Sequence, residues 1–101
     1  MHKLKYLPLA QKDLRDIIDY IADTLKAPKA AIDLVDTIEN SISRLVEFPY
    51  SCRVYHTIKL LEAEYRILPV KNYLVFYVAT EDDIEIHRIV YAKMNLENLI
   101  K

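Results

Sequence analysis

Glu64-Tyr65-Arg66-Ile67-Leu68, Asn72-Tyr73-Leu74-Val75-Phe76-Tyr77 and the run from Ile84 to Tyr91, followed by Ala92-Lys93-Met94-Asn95, fill the last third of the chain. β-Branched and aromatic residues dominate each run, and Lys71-Asn72 and Glu81-Asp82-Asp83 between them are turn formers. Three strands are predicted, over 64–70, 73–79 and 84–91, and such short connections make them an antiparallel meander. Two cations, Arg66 and Arg88, lie inside these runs among apolar neighbours. A guanidinium stays charged at any relevant pH, so each needs either a carboxylate or an anionic partner at the sheet surface.

Upstream, Lys3 to Leu7 alternates and reads as a short strand. From Pro8 the period changes. Leu14, Ile17, Ile18, Ile21, Ala22 and Leu25 recur at helical spacing, with Asp13, Arg15, Asp16, Asp19 and Asp23 assigned to a solvated outer face. Pro28 suits the first turn of a second helix, whose stripe is Ala31, Leu34, Val35, Ile38, Ile42 and Leu45. The short link Lys26-Ala27-Pro28 makes the two helices an antiparallel hairpin. Phe48-Pro49 ends the helical pattern. Residues 50–63 look irregular apart from a strand-like Arg53-Val54-Tyr55, and Leu96 to Ile100 reads as a helical turn. The expected architecture is α+β, with a helical hairpin packed on one face of an antiparallel sheet in the order β-α-α-β-β-β(-β). The other sheet face is expected to stay partly open, because a domain this small cannot cover both.

Bulk properties narrow the function. The 101 residues form one expected domain, and a 52% apolar share suffices for a core. Charges interrupt every apolar run well short of the ~20 residues of a membrane span, and the N-terminus does not read as a signal peptide. A cytoplasmic protein with no membrane partner is the expectation. One cysteine, Cys52, excludes an internal disulfide and a multi-cysteine metal site. There is no glycine, which excludes phosphate-binding glycine loops and leaves turns to asparagine, aspartate and proline. No cofactor or metal is expected; the helical aspartates lack a ligand from a second element. A net charge of -1 argues against gripping nucleic acid by bulk electrostatics.

With these residues in view the chain resembles the RelE/ParE superfamily of bacterial toxins, which includes plasmid stabilisation proteins. The resemblance rests on the Leu14-Arg15-Asp16-Ile17-Ile18-Asp19-Tyr20-Ile21 helix and the Leu45-Val46-Glu47-Phe48-Pro49 junction. Its most specific parts are Tyr65-Arg66, Asn72-Tyr73-Leu74-Val75-Phe76-Tyr77 and Arg88-Ile89-Val90-Tyr91-Ala92-Lys93-Met94-Asn95. It implies the toxin of a type II toxin–antitoxin pair, neutralised by a small cognate antitoxin, whose helix or strand is expected to lie over the open sheet face and loop. Two modes of harm occur in the superfamily. RelE-like members cut messenger RNA on the ribosome without metal; ParE-like members poison DNA gyrase and are not nucleases.

The residues carried over are Arg66, Arg88, Tyr91 and Lys93, a functional face that is catalytic only in the RelE-like reading. Arginine suits phosphate because its planar fork binds two oxygens at once. The bland alternatives are a bridge from Arg66 to Glu64 or Glu85, a buried acid for Arg88, a core-capping Tyr91 and a solvated Lys93. His87 is expected to turn away from Arg88 and pack against a helix. Tyr50, Tyr55, Tyr65, Tyr73, Tyr77 and Tyr91 cluster late, some as core and some as anchors for a base or an antitoxin. Arg53, Lys59 and Lys71 are weaker loop candidates for positive charge, His56 and Glu62 are weaker acid or base substitutes, and Cys52 is an ordinary loop cysteine. Where the nuclease branch carries arginine just before Leu-Val-Tyr and a second basic residue near the end, this chain has Tyr73-Leu74 and Met94. Those departures favour the ParE-like reading, inhibition of gyrase, over the ribosome-dependent endoribonuclease.

Overall fold

The computed structural model describes residues 2–55 and 63–93. The elements run β1 (Lys3–Tyr6), α1 (Pro8–Asp19), a π-helical segment (Tyr20–Thr24), α2 (Pro28–Ser43), a 3-10 turn (Arg44–Val46), β2 (Arg66–Val70), β3 (Tyr73–Ala79) and β4 (Asp83–Tyr91). Both helices begin on proline in their first turn, where the missing N–H costs nothing and the fixed φ suits the helix. The second predicted stripe meets the sheet through Ile38, Ile42 and Leu45, and the first through the partly buried Leu14 and Ile17, with Ala10 buried one turn ahead of the predicted stripe. The predicted turn Lys71-Asn72 holds, and the predicted turn Glu81-Asp82-Asp83 is shorter by one residue, since Asp83 opens β4. In the second, Thr80 Oγ1 accepts from the Asp83 N–H at 2.9 Å, so a hydroxyl closes a turn that lacks glycine. The residues that take the left-handed backbone are lysines, Lys26 at φ 53° and Lys71 at φ 56°, rather than asparagine or aspartate.

The sheet order is β1-β4-β3-β2. β2, β3 and β4 form the antiparallel meander, and β1 lies parallel to β4 with Leu4 opposite Ile84. The sheet is therefore mixed at one edge, because the helical hairpin serves as the long crossover that a parallel neighbour requires. One irregularity shapes everything downstream. Phe76 pairs with Arg88 and Tyr77 with Ile86, leaving His87 as an extra residue bulged out of β4.

The helix-facing core gathers Val70, Val75, Tyr77, Ile84, Ile86 and Ile89 beneath the helices. The far face is less open than expected. Phe76 is 0% exposed there, in a second cluster with Ile67 and Val90, against which Tyr55, Tyr65 and Leu74 pack. The Tyr55 ring meets Phe76 edge-on at 5.3 Å. Backbone bonds from Tyr55 N–H to Tyr65 O (2.7 Å) and from Ile67 N–H to Arg53 O (3.1 Å) hold the predicted Arg53–Tyr55 segment beside β2. That segment is a single bridge, Val54 to Arg66, rather than a full strand. No described helix is long and apolar enough to cross a membrane. The predicted turn at residues 96–100 lies outside the described residues, as do His56, Lys59, Glu62, Met94 and Asn95.

Candidate functional site

Arg88 is held from α1. Its Nε and Nη2 donate to the two carboxylate oxygens of Asp13 at 2.8 and 2.9 Å, and the Ile89 N–H donates to the same Asp13 Oδ2 at 3.0 Å. β1 ends at Tyr6 opposite Ile86, so beyond that point β4 loses its strand neighbour. Asp13 takes over the vacated edge. The side chains of Arg88 and Asp13 are only 17% and 11% exposed. The hydrogen bonds from Arg88 to Asp13 raise the guanidinium pKa above its ordinary value, more than burial lowers it. Asp13 therefore does not belong to the solvated helix face the sequence suggested. It is the buried acid that Arg88 required.

Arg66 is also engaged. Its Nη1 donates to the carbonyls of Cys52 (2.7 Å) and Tyr50 (3.4 Å), its Nη2 donates to Glu64 at 3.2 Å, and its guanidinium lies 5.1 Å from the centre of the Tyr50 ring. Beside it in register, the Tyr77 hydroxyl donates to Pro49 O at 3.1 Å. Burial pushes the Tyr77 phenol pKa well up, with Cys52 adding to the shift. Together the two side chains fasten residues 49–52 to the sheet. Arg66 and Arg88 thus serve separate internal networks.

Tyr91 and Lys93 lie elsewhere, at the end of β4. Tyr91 is 40% exposed and meets Tyr73 edge-on at 5.8 Å. The Ala92 N–H donates to Asn72 O at 2.8 Å, which ties the turn carrying the exposed Lys93 to the β2–β3 turn. Here a groove of about 720 Å³ opens between the helical hairpin and the sheet end. Its floor and walls are Ile17, Ile21, Leu25, Ala30 and Leu34, with Tyr20, Tyr73 and Tyr91 around it and Asp16 and Lys71 as the charged residues of the lining. The π-helical segment supplies Tyr20 and Ile21. The wider π turn rotates the residues after Asp19 relative to a continuous α-helix, a distortion common at functional sites. Burial raises the Tyr73 phenol pKa, and Tyr91 and Tyr20 add to the shift, as expected where three phenols converge. Tyr20 had no role in the sequence reading. Its only signal was an apolar pattern around residues 17–25 too broad for one helical stripe.

A third cluster lies on the far face. The Tyr65 hydroxyl is 3.2 Å from His87 Nδ1, His87 Nε2 is 3.3 Å from Glu85, and the Tyr65 and His87 rings meet edge-on at 5.0 Å. His87 therefore turns away from the helices rather than packing against one. Among the described residues no three His, Cys, Asp or Glu side chains converge as metal ligands.

No curated protein matches the chain by sequence. A solved structure described as the chromosomal ParDE toxin–antitoxin system from P. aeruginosa shares the fold, with a TM-score of 0.75 at 23% identity over 92% of this chain and 98% of that one. The family model for the ParE toxin of the type II toxin–antitoxin system parDE matches residues 4–96, nearly the whole chain. The chain belongs to the ParE toxin family.

Proposed function

We propose that this chain inhibits growth by ParE-type protein–protein contact with DNA gyrase, and that a small cognate antitoxin neutralises it. The observation that carries the choice over RNA cleavage is the engagement of both sheet arginines. Metal-free cleavage needs cations free to meet a phosphate as charge develops on it. Arg88 is bound through both edges of its fork to Asp13, and Arg66 is occupied by two carbonyls and Glu64. Of the four residues singled out, Tyr91 and Lys93 are the exposed ones, and neither offers a bidentate phosphate clamp.

The antitoxin is assigned to the groove bordered by Tyr20, Tyr73 and Tyr91. Partly exposed tyrosines around an apolar cleft are the residues that anchor protein interfaces. The deciding experiment is induced expression without antitoxin, followed by mapping of messenger RNA 5′ ends and recovery of gyrase–DNA cleavage complexes. Intact transcripts with accumulated cleavage complexes are expected. Codon-phased cuts would refute the reading in favour of a ribosome-dependent endoribonuclease working through Arg66, Arg88, Tyr91 and Lys93.

A further inference from the structure

The solvent side of the helical hairpin carries a seam that neither the sheet nor the tyrosine groove uses. Ile18 of α1 lines two adjoining depressions there, one with Ile32, Val35 and Asp36 and one with Arg15 and Glu39. Ile32 is 62% exposed, although its neighbours along the seam are apolar. Of the charged residues that line these depressions, Arg15 lies on α1, and Asp36 and Glu39 lie on α2. Lys12 and Lys29 are taken up by i,i+4 pairs within their own helices, with Asp16 at 2.7 Å and Asp33 at 3.3 Å. Arg15, Asp36 and Glu39 make no ion pair among the described residues.

A surface with one unpaired arginine on one side of an apolar seam and two unpaired carboxylates on the other can pair with a copy of itself. We propose that this face binds a second copy of the chain about a two-fold axis running along the seam. Such an axis lays α1 of one protomer antiparallel on α2 of the other. Ile18 then meets Ile32 and Val35 across the axis, and Arg15 meets Asp36 and Glu39 twice, once in each direction. The product is a four-helix layer with antiparallel neighbours. Helices of 12 and 16 residues are about 18 and 24 Å long, so the contact is small and the dimer is weak. The seam shares no lining residue with the tyrosine groove, so dimerisation leaves that groove open.

The test is sedimentation equilibrium of the full chain from about 1 µM to 1 mM. The weight-average mass should climb from the 11.9 kDa monomer toward twice that value. Arg15→Glu and Glu39→Arg should each raise the dissociation constant at least tenfold by placing like charges opposite one another. An equimolar mixture of the two variants should recover much of the affinity, since positions 15 and 39 again carry opposite charges in both directions and the one like-charge contact left is that of the Arg15→Glu side chain with Asp36. Ile32→Gln, at a site exposed enough to leave the monomer fold unchanged, should weaken the dimer similarly. Monomer at every concentration overturns the proposal. So does a dimer insensitive to all three variants, or a mixture that fails to recover.

Discussion

Asp13→Ala is the most demanding substitution the structure offers. Asp13 accepts three hydrogen bonds, two from Arg88 and one from the Ile89 backbone, at 2.8 to 3.0 Å. Removing it strips the counter-charge from a guanidinium that is 17% exposed and leaves the Ile89 N–H without its acceptor. An orphaned backbone donor costs about 1–3 kcal/mol, and breaking a largely buried ion pair from one side costs about 3–5 kcal/mol in all. The expected loss is therefore about 3–5 kcal/mol, a large share of the ~5–15 kcal/mol that holds a small domain together. Asp13→Asn keeps an oxygen for one donor but loses the charge, and about 2 kcal/mol is expected. Adding Arg88→Met to Asp13→Ala removes the stranded cation, so the double variant should lose less than the two single losses combined, with a coupling of roughly 2 kcal/mol or more. Urea unfolding with an unchanged m-value measures all of these. Raising the salt should change the losses little, since a pair this shielded is weakly screened. A loss below about 1 kcal/mol for Asp13→Ala, or additive single losses, would refute the claim that Asp13 closes the edge of β4.

Burial pushes the Tyr6 phenol from 10.0 to about 12, so the fold favours its neutral form. Its contribution is complete below pH 10 and is lost as the pH rises to about 12, because the unfolded chain gives up the proton first. Tyr6→Phe should flatten that alkaline loss in urea titrations, and an unchanged slope would count against it. Lys26 and Lys71 hold left-handed backbone at φ 53° and 56°, and replacing either with glycine should raise stability by up to about 1 kcal/mol, read as a higher urea midpoint. Tyr91→Ala should weaken antitoxin binding at least tenfold in calorimetry, equivalent to about 1.4 kcal/mol or more, without lowering the urea midpoint by more than ~0.5 kcal/mol equivalent.

Strand positions were legible because alternation and turn formers agree: Tyr73–Ala79 was predicted residue for residue, and Lys71-Asn72 turns where expected. The helical hairpin was legible for the same reason, since Pro8 and Pro28 mark starts and the stripes reach the core. What escaped depends on contacts distant in sequence. A helical wheel places Asp13 at the flank of the apolar stripe, one turn before Ile17, but it cannot show that β4 outruns β1 and leaves the Ile89 N–H facing α1. His87 escaped because a one-residue bulge interrupts the period-two alternation that would set its orientation in a regular strand. Tyr20 escaped because the π turn shifts the helical phase between residues 20 and 24. The left-handed lysines leave no signal, since nothing in lysine's propensity favours that region.

The two networks change how loss of toxicity must be interpreted. Arg66 fastens residues 50–52 to β2, and Arg88 fastens α1 to β4, so either arginine can abolish toxicity merely by weakening the fold. Arg66→Ala is informative only beside its urea midpoint and its antitoxin affinity. If toxicity falls in proportion to the folded fraction, the arginine is a structural tie. If toxicity vanishes while the midpoint and antitoxin binding stay within error of the parent chain, the side chain contacts the target. Tyr91 and Lys93 carry no such ambiguity, because they are exposed and their loss should leave the folded population intact. The Tyr91 and Lys93 variants should therefore show the direct effect on partner and target. Arg88 ties α1 to β4, the strand that ends at Tyr91, whereas Arg66 ties residues 50–52 to β2.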